Sequence, residues 1–249
     1  MDIRVIVPVL YSRELAEKAR EEYQACASPG VRLTVSCVEN GTLSIESEYD
    51  MALAQPDVMR LVREAELDGA DGCMITCFGD PGAAGSKELV SIPVVGEGEA
   101  ALHFASLLGG RFTIMITERA LFPMMRKLAA QVGMTGKLAS VRAVDAGVLD
   151  FGLNCVPKAI DEAVAAIEQD GAEVIVMGCT GTGIDMAAQI EAAVEQRLGA
   201  YVPVIDPVKA TMKLTEALVA TGMSHSKIAY PRPLAPRPEY RFLKASPIS

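Results

Sequence analysis

The sequence predicts an α/β fold of two similar lobes, each a mainly parallel sheet flanked by helices, related by an approximate twofold axis. Three observations predict it. Short apolar runs alternate with amphipathic segments along most of the chain, a stretch of the first half recurs in the second, and the recurrence keeps its spacing.

The elements follow in order. The apolar run 3–10 is the first expected strand, followed by an amphipathic helix at 13–27 and a second strand at 32–38. A helix is expected at 56–67, then a strand at 72–77, a short helix at 83–90 and a strand at 92–96. A helical pattern runs from Ala100 to Leu108. The second half repeats the alternation, with strands at 112–117, 138–143, 173–178 and 202–206 and helices at 119–131, 157–169 and 184–198.

The repeat is explicit in residues. Asp68-Gly69-Ala70-Asp71 leads to Cys77, and Asp170-Gly171-Ala172-Glu173 leads to Cys179, with 77 − 68 = 9 and 179 − 170 = 9. Ile92-Pro93-Val94-Val95 answers Val202-Pro203-Val204-Ile205, and Val5-Ile6-Val7 answers Ile114-Met115-Ile116. The boundary is expected near Gly109-Gly110. Residues 1–109 with 208–249 would form a discontinuous first lobe, and 110–207 the second. From Tyr230 the proline-rich chain reads as an extended arm. A homo-oligomer is expected; the arm either wraps a neighbouring subunit or is a loose tail, and the sequence does not favour the former.

Composition narrows the function. Of 249 residues, 50% are hydrophobic and 22% charged, enough for a sizeable core. A net charge of −9 argues against nucleic acid, which needs clustered Lys and Arg. No basic segment precedes a long apolar stretch, and no apolar run approaches bilayer length, so neither secretion nor a membrane is expected. Six cysteines with no CxxC pair suit reduced thiols in the cytoplasm. With only His103 and His225, no GxGxxG in the first βα turn and no P-loop, neither metal nor organic cofactor is expected. The expected partner is a small-molecule substrate.

Ligands of open parallel sheets sit beyond the carboxyl ends of the strands, where both repeat cysteines fall. Cys77 opens Cys77-Phe78-Gly79-Asp80-Pro81-Gly82 and Cys179 opens Cys179-Thr180-Gly181-Thr182-Gly183. The glycines allow close backbone approach, and N–H groups at the following helix starts favour thiolate and anionic oxygens. Two thiols facing one cleft suit two-base chemistry, one taking a proton from one face of a carbon while the other delivers one opposite.

Other polar residues have simpler readings. Cys26, Cys37, Cys73 and Cys155 are read as small buried hydrophobes. Asp80 before Pro81 is read as the N-cap of the next helix, and Thr182 with Asp185 as a capping box. Glu97 and Glu99, flanking Gly98 after a strand, are read as solvated loop charges with reach into the cleft as the alternative, Asp206-Pro207 as turn chemistry, and His103 as a partly buried structural histidine.

At the cysteine strings the sequence resembles the hydantoin racemase family, within the wider aspartate/glutamate racemase superfamily. The resemblance rests on the CFGDPG string at 77–82, Ile92-Pro93-Val94-Val95-Gly96, Gly109-Gly110-Arg111-Phe112, Ile45-Glu46-Ser47-Glu48-Tyr49-Asp50, Gly178-Cys179 and Pro203-Val204-Ile205-Asp206-Pro207, and it spans about 3–230. It implies the two-lobed pseudo-twofold fold and a cofactor-independent racemase. Cys77 and Cys179 would be the acid/base pair, with backbone at Phe78-Gly79 and Thr180-Gly181 and the residue Thr117 touching substrate. The family's Asn-Pro-Asn-Thr type sequence after the first strand is here Val7-Pro8-Val9-Leu10. Pro8 and Val9 are therefore expected at the cleft, without two amides able to bind a urea or imide edge.

An activated carbon acid such as a 5-substituted hydantoin fits best. Alternatives within the superfamily are an amino-acid racemase or a maleate cis–trans isomerase; a decarboxylase would need only one thiol. Outside enzymes, a small-molecule binding protein would tolerate serine at both cysteines, and a redox protein would form a Cys77–Cys179 disulfide.

Overall fold

The computed structural model describes residues 1–148, 153–180 and 184–233. Its strands form two four-stranded sheets with the same order. The first is β2-β1-β3-β4, from β1 (Asp2–Leu10), β2 (Arg32–Val38), β3 (Gly72–Ile75) and β4 (Val94–Gly96). The second is β6-β5-β7-β8, from β5 (Phe112–Ile116), β6 (Leu138–Ala143), β7 (Val174–Met177) and β8 (Val204–Ile205). All pairings are parallel.

Parallel sheets need both faces covered, and their central strands accordingly read as unbroken apolar runs. Every residue of β3, β5 and β7 is buried. Each valine or isoleucine so buried stabilises the fold by roughly 1.5–3 kcal/mol. The first sheet is covered on one side by α2 (Glu48–Leu67) and α3 (Ala83–Leu89), on the other by α1 (Arg13–Cys26) and α8 (Pro207–Ala220). The second lies between α4 (Glu97–Leu108) with α5 (Phe122–Gln131) and α6 (Val156–Asp170) with α7 (Ile184–Leu198).

The lobes exchange helices. Helix α4 follows β4 in the chain, yet its Ala101, Leu102 and Ala105 pack in one core with Phe112, Ile114 and Val176 of the second sheet. Helix α8 follows β8, yet Val208 and Met212 pack with Ile3, Val5 and Met74 of the first. The two exchanged helices also lie against each other.

Elements end where the backbone demands. Helix α2 begins at Glu48, not at 56 as the pattern suggests, because Ser47 caps it by accepting from the Asp50 N–H at 3.1 Å. Pro56 lies inside that helix. Strands expected at 72–77 and 202–206 are shorter, and the end of β3 at Ile75 leaves Thr76 and Cys77 to the cleft. Residues 231–233 have no regular structure; the remainder of the expected arm lies outside the described residues. No described helix is long and apolar enough to cross a membrane.

Candidate active site

The cysteines occupy equivalent places. Cys77 stands two residues past the end of β3 (77 − 75 = 2), and Cys179 two past β7 (179 − 177 = 2). Both line one cleft of about 270 Å³ between the lobes. Pro8 and Val9 from β1, Phe78 and Gly79, Thr117 beyond β5, and Thr180 all border the same cleft. Gly181 lies outside the described residues, as does Thr182 of the expected capping box.

The first-lobe side of the cleft carries an apolar strip at Val7, Pro8 and Val9, with Lys18, Glu22 and Tyr23 of α1 also bordering the cleft. β1 pairs regularly with β2 as far as Val7, slips in register, and resumes at Leu10, so Pro8 and Val9 leave the ladder at the cleft. Proline has no N–H to lose at such a break. Leu43, Ile45, Leu121 and Met124 extend this strip.

The Cys77 loop is locked to the first turn of α4. Asp80 adopts a φ of +53° and turns its carboxylate away from its own helix. It accepts the N–H groups of Gly98 at 2.8 Å and Glu99 at 2.7 Å. It therefore caps α4, whereas the N-cap of α3 is Gly82. The expectation of a local cap is corrected: the left-handed backbone at Asp80 aims the side chain at the neighbouring helix. The approach is so close that a Cβ on Gly96 would come within 2.3 Å of the Asp80 carboxyl carbon.

Glu97 is the second correction. It is 0% exposed, not solvated, and its carboxylate accepts hydroxyls from Tyr23 on α1 and Thr180 beside Cys179. Glu99 is likewise engaged, closing back on the Gly96 N–H at 3.1 Å and pairing with the buried Lys87. The glycines around these two acids bring α4 against the Cys77 loop, which removes Glu97 from water and leaves Glu99 half-buried. His103 corrects in the other direction: it is exposed on α4. Asp206 caps α8, accepting from Val208 N–H at 2.9 Å and Lys209 N–H at 3.3 Å.

Burial governs the electrostatics. It pushes the Cys77 thiol far above its ordinary value, opposed by the Gly79 N–H and reinforced by Glu97, Asp80 and Cys179. Cys77 thus rests as thiol, and a thiolate at Cys179 would favour that state further. Burial pushes Glu97 up to about 8, against the lowering pull of the Thr180 and Tyr23 hydroxyls. Tyr23 is raised by burial and by Glu97. Among the described residues no group of three or more His, Cys, Asp or Glu could hold a metal ion.

Tyr23 and Glu97 escaped the sequence reading. Tyr23 sits mid-helix with no motif around it. Glu97 did carry a signal, since an acid between two glycines directly after a strand marks close backbone approach.

The fold is that of the racemase-type isomerases, built from two parallel-stranded α/β sheets. The chain belongs to the Asp/Glu/Hydantoin racemase family, whose model matches residues 9–215. It is 36% identical to the hydantoin racemase of Paenarthrobacter aurescens, over 89% of this chain and 93% of that protein. Among solved structures it is similar to allantoin racemase from Klebsiella pneumoniae, with a TM-score of 0.81 and 33% identity over 96% and 97% of the two chains. Allantoin racemase from Pseudomonas fluorescens gives a TM-score of 0.83 and 31% identity over 95% and 99%.

Proposed function

We propose that this racemase inverts a 5-substituted hydantoin or related cyclic ureide by 1,1-proton transfer between Cys77 and Cys179. The observation that carries the reading is their placement at equivalent strand ends on one cleft. One thiolate takes the proton from the carbon, the developing enolate oxygen meets backbone N–H groups after the cysteines, and the opposite thiol returns a proton to the other face. The mutual charge effect on Cys77 keeps the working pair singly protonated. The reaction needs no metal or organic cofactor. A reducing compartment such as the cytoplasm suits it, because a disulfide would remove both groups.

The carbon must be activated, as it is between the carbonyl and nitrogen of a hydantoin ring. The wall formed by Val7, Val9, Leu43 and Ile45 suits an apolar ring substituent.

The test is deuterium uptake from D₂O into each enantiomer of 5-benzylhydantoin. Cys77→Ser and Cys179→Ser should each lose net inversion by ~10³-fold, because a hydroxyl is a far poorer base. Each should keep some exchange with retention, and the two should favour opposite enantiomers. Cys73→Ser, at a cysteine buried within β3, serves as the near-wild-type control. If both serine variants exchange the same enantiomer, the two-face assignment is wrong.

A further inference from the structure

Glu97 takes no part in the two-thiol reading, yet it is wholly buried behind the cleft with both oxygens engaged. One oxygen accepts the Tyr23 hydroxyl and the other the Thr180 hydroxyl. An ionised carboxylate only accepts, so both hydroxyl hydrogens must point toward it. A threonine hydroxyl has a single hydrogen. With that hydrogen committed, Thr180 has only lone pairs to offer the cleft it borders. Its neighbour in the chain is Cys179, so those lone pairs lie beside the proposed site of proton transfer.

We propose that Glu97 is a positioning residue that makes Thr180 an obligate hydrogen-bond acceptor, so that the cleft selects a substrate carrying an N–H donor next to the reacting carbon. The substrate part rests on the racemase reading above. Tyr23 is the opposing strut, holding the carboxylate from α1 while Thr180 holds it from the second lobe. The first-lobe wall strengthens the case: Val7, Pro8 and Val9 carry no polar side-chain atom with which to read a ring edge. Other polar groups border the cleft, Glu22 among them, but Thr180 is the hydroxyl next to Cys179 whose direction a buried acid dictates.

The device titrates. Facing Glu97 are Tyr23 and Glu22 from α1, Asp206 at the start of α8, Thr180 beyond β7, and Cys77 and Asp80 beyond β3, Asp80 being raised by burial and by the neighbouring acids. Glu22 is raised by burial, with Lys18 lowering it, and Asp206 is raised by burial, with its capped N–H groups and Lys209 lowering it. The acids around Glu97 therefore oppose its ionisation. Once protonated, it must donate its own hydrogen to one of the two hydroxyls, which frees that hydroxyl to donate elsewhere. The acceptor state builds as pH rises through about 8.

The experiment compares 5-benzylhydantoin with its 1-methyl derivative, which lacks the N–H beside the reacting carbon, as kcat/KM from pH 6.5 to 9. Wild type should prefer the N–H compound by ~10-fold or more, the scale of a site left with an unpaired polar group. The preference should grow through about pH 8. Thr180→Val should abolish it, and Thr180→Ser should restore it. Glu97→Gln should flatten its pH dependence, because the amide donates to one hydroxyl at every pH. A second measurement needs no turnover: the pH midpoint for iodoacetamide alkylation of Cys77, followed by peptide mass spectrometry. It should fall in Glu97→Gln, since the carboxylate charge raises the Cys77 thiol.

A preference that survives in Thr180→Val overturns the proposal, and so does a Glu97→Gln protein that keeps the wild-type pH dependence. So does an unmoved Cys77 midpoint, which would mean that Glu97 is not ionised in this range. If wild type exchanges deuterium into neither compound, the racemase reading on hydantoins fails. The alkylation result still decides whether Glu97 acts as charged.

Discussion

Replacing Gly98 with alanine tests whether the first turn of α4 really holds the Cys77 loop. A Cβ at that position would lie 2.2 Å from the Phe78 carbonyl oxygen, 2.4 Å from Leu128 Cδ2 and 3.2 Å from an Asp80 oxygen. A relaxed carbon–oxygen contact is about 3.3–3.6 Å, so roughly 1 Å must be found. The leucine can change rotamer, but the carbonyl cannot move unless the Cys77–Gly79 backbone moves with it. Overpacking of this kind costs about 1–3 kcal/mol. For a chain of this size each kcal/mol is worth roughly 2–4 °C in Tm. A displacement near 1 Å at a reacting group should also lower the rate by ~10²-fold. Circular-dichroism melts and deuterium exchange measure the two effects on the same samples. Gly136→Ala is the control, because nothing lies within 4 Å of a Cβ there. A Gly98→Ala protein with an unshifted melt and an unshifted rate would refute the lock.

Two further outcomes follow from other parts of the chain. Val9→Asn, on the apolar cleft wall, should shift preference toward polar ring substituents by about 1–2 kcal/mol, or roughly 5- to 30-fold, with the fold intact; an unchanged ranking across a hydantoin panel would mean that position 9 does not touch substrate. Burial opposes ionisation of Asp57, but Arg60 and the N–H groups of Glu39 and Asn40 outweigh it and hold the carboxyl below its usual range. Stability from Asp57 is therefore present above about pH 3.9, the unfolded value, and is lost as pH falls through the lower folded one. Asp57→Asn should cost about 1–3 kcal/mol near pH 7 in urea titrations, and the gap to wild type should narrow toward pH 2. A gap independent of pH would refute the charge-based account.

The repeat made the architecture legible because parallel strands buried on both faces must be written as apolar runs, and the turns after them need glycine. Arg32–Val38 and Leu138–Ala143 match their expected limits. The ends of β3 and β7 were less legible. An apolar residue at a strand end reads the same whether it pairs or turns into a cleft, and Thr76 with Gly178 did the latter. Helix α2 began early because a serine cap and an acidic first turn outweighed the break suggested by Pro56. Cys77 and Cys179 were legible through spacing, and the cleft contains both. Glu97 was misread because its burial depends on helix α4 crossing to the other sheet, and no local pattern in α4 records which sheet it will cover. Asp80 was misread for a related reason: its partner N–H groups lie 18 and 19 residues away, beyond any capping rule.

The exchanged helix explains how two lobes bring their cysteine loops to one cleft. Asp80, from the loop of the first lobe, caps α4 through Gly98 and Glu99. Thr180, from the loop of the second, bonds Glu97 in that same turn. One turn of helix thus joins both cysteine loops, while the body of α4 is packed on the second sheet. Separating the lobes would require breaking these buried hydrogen bonds, each worth about 0.5–1.5 kcal/mol where the carboxyl is neutral and more where it is ionised. It would also bring the Glu97 carboxylate toward water and remove the cause of its raised pKa. Placement of the cysteines and the charge state behind them are therefore one property of α4, and a variant that loosens its first turn should alter both together.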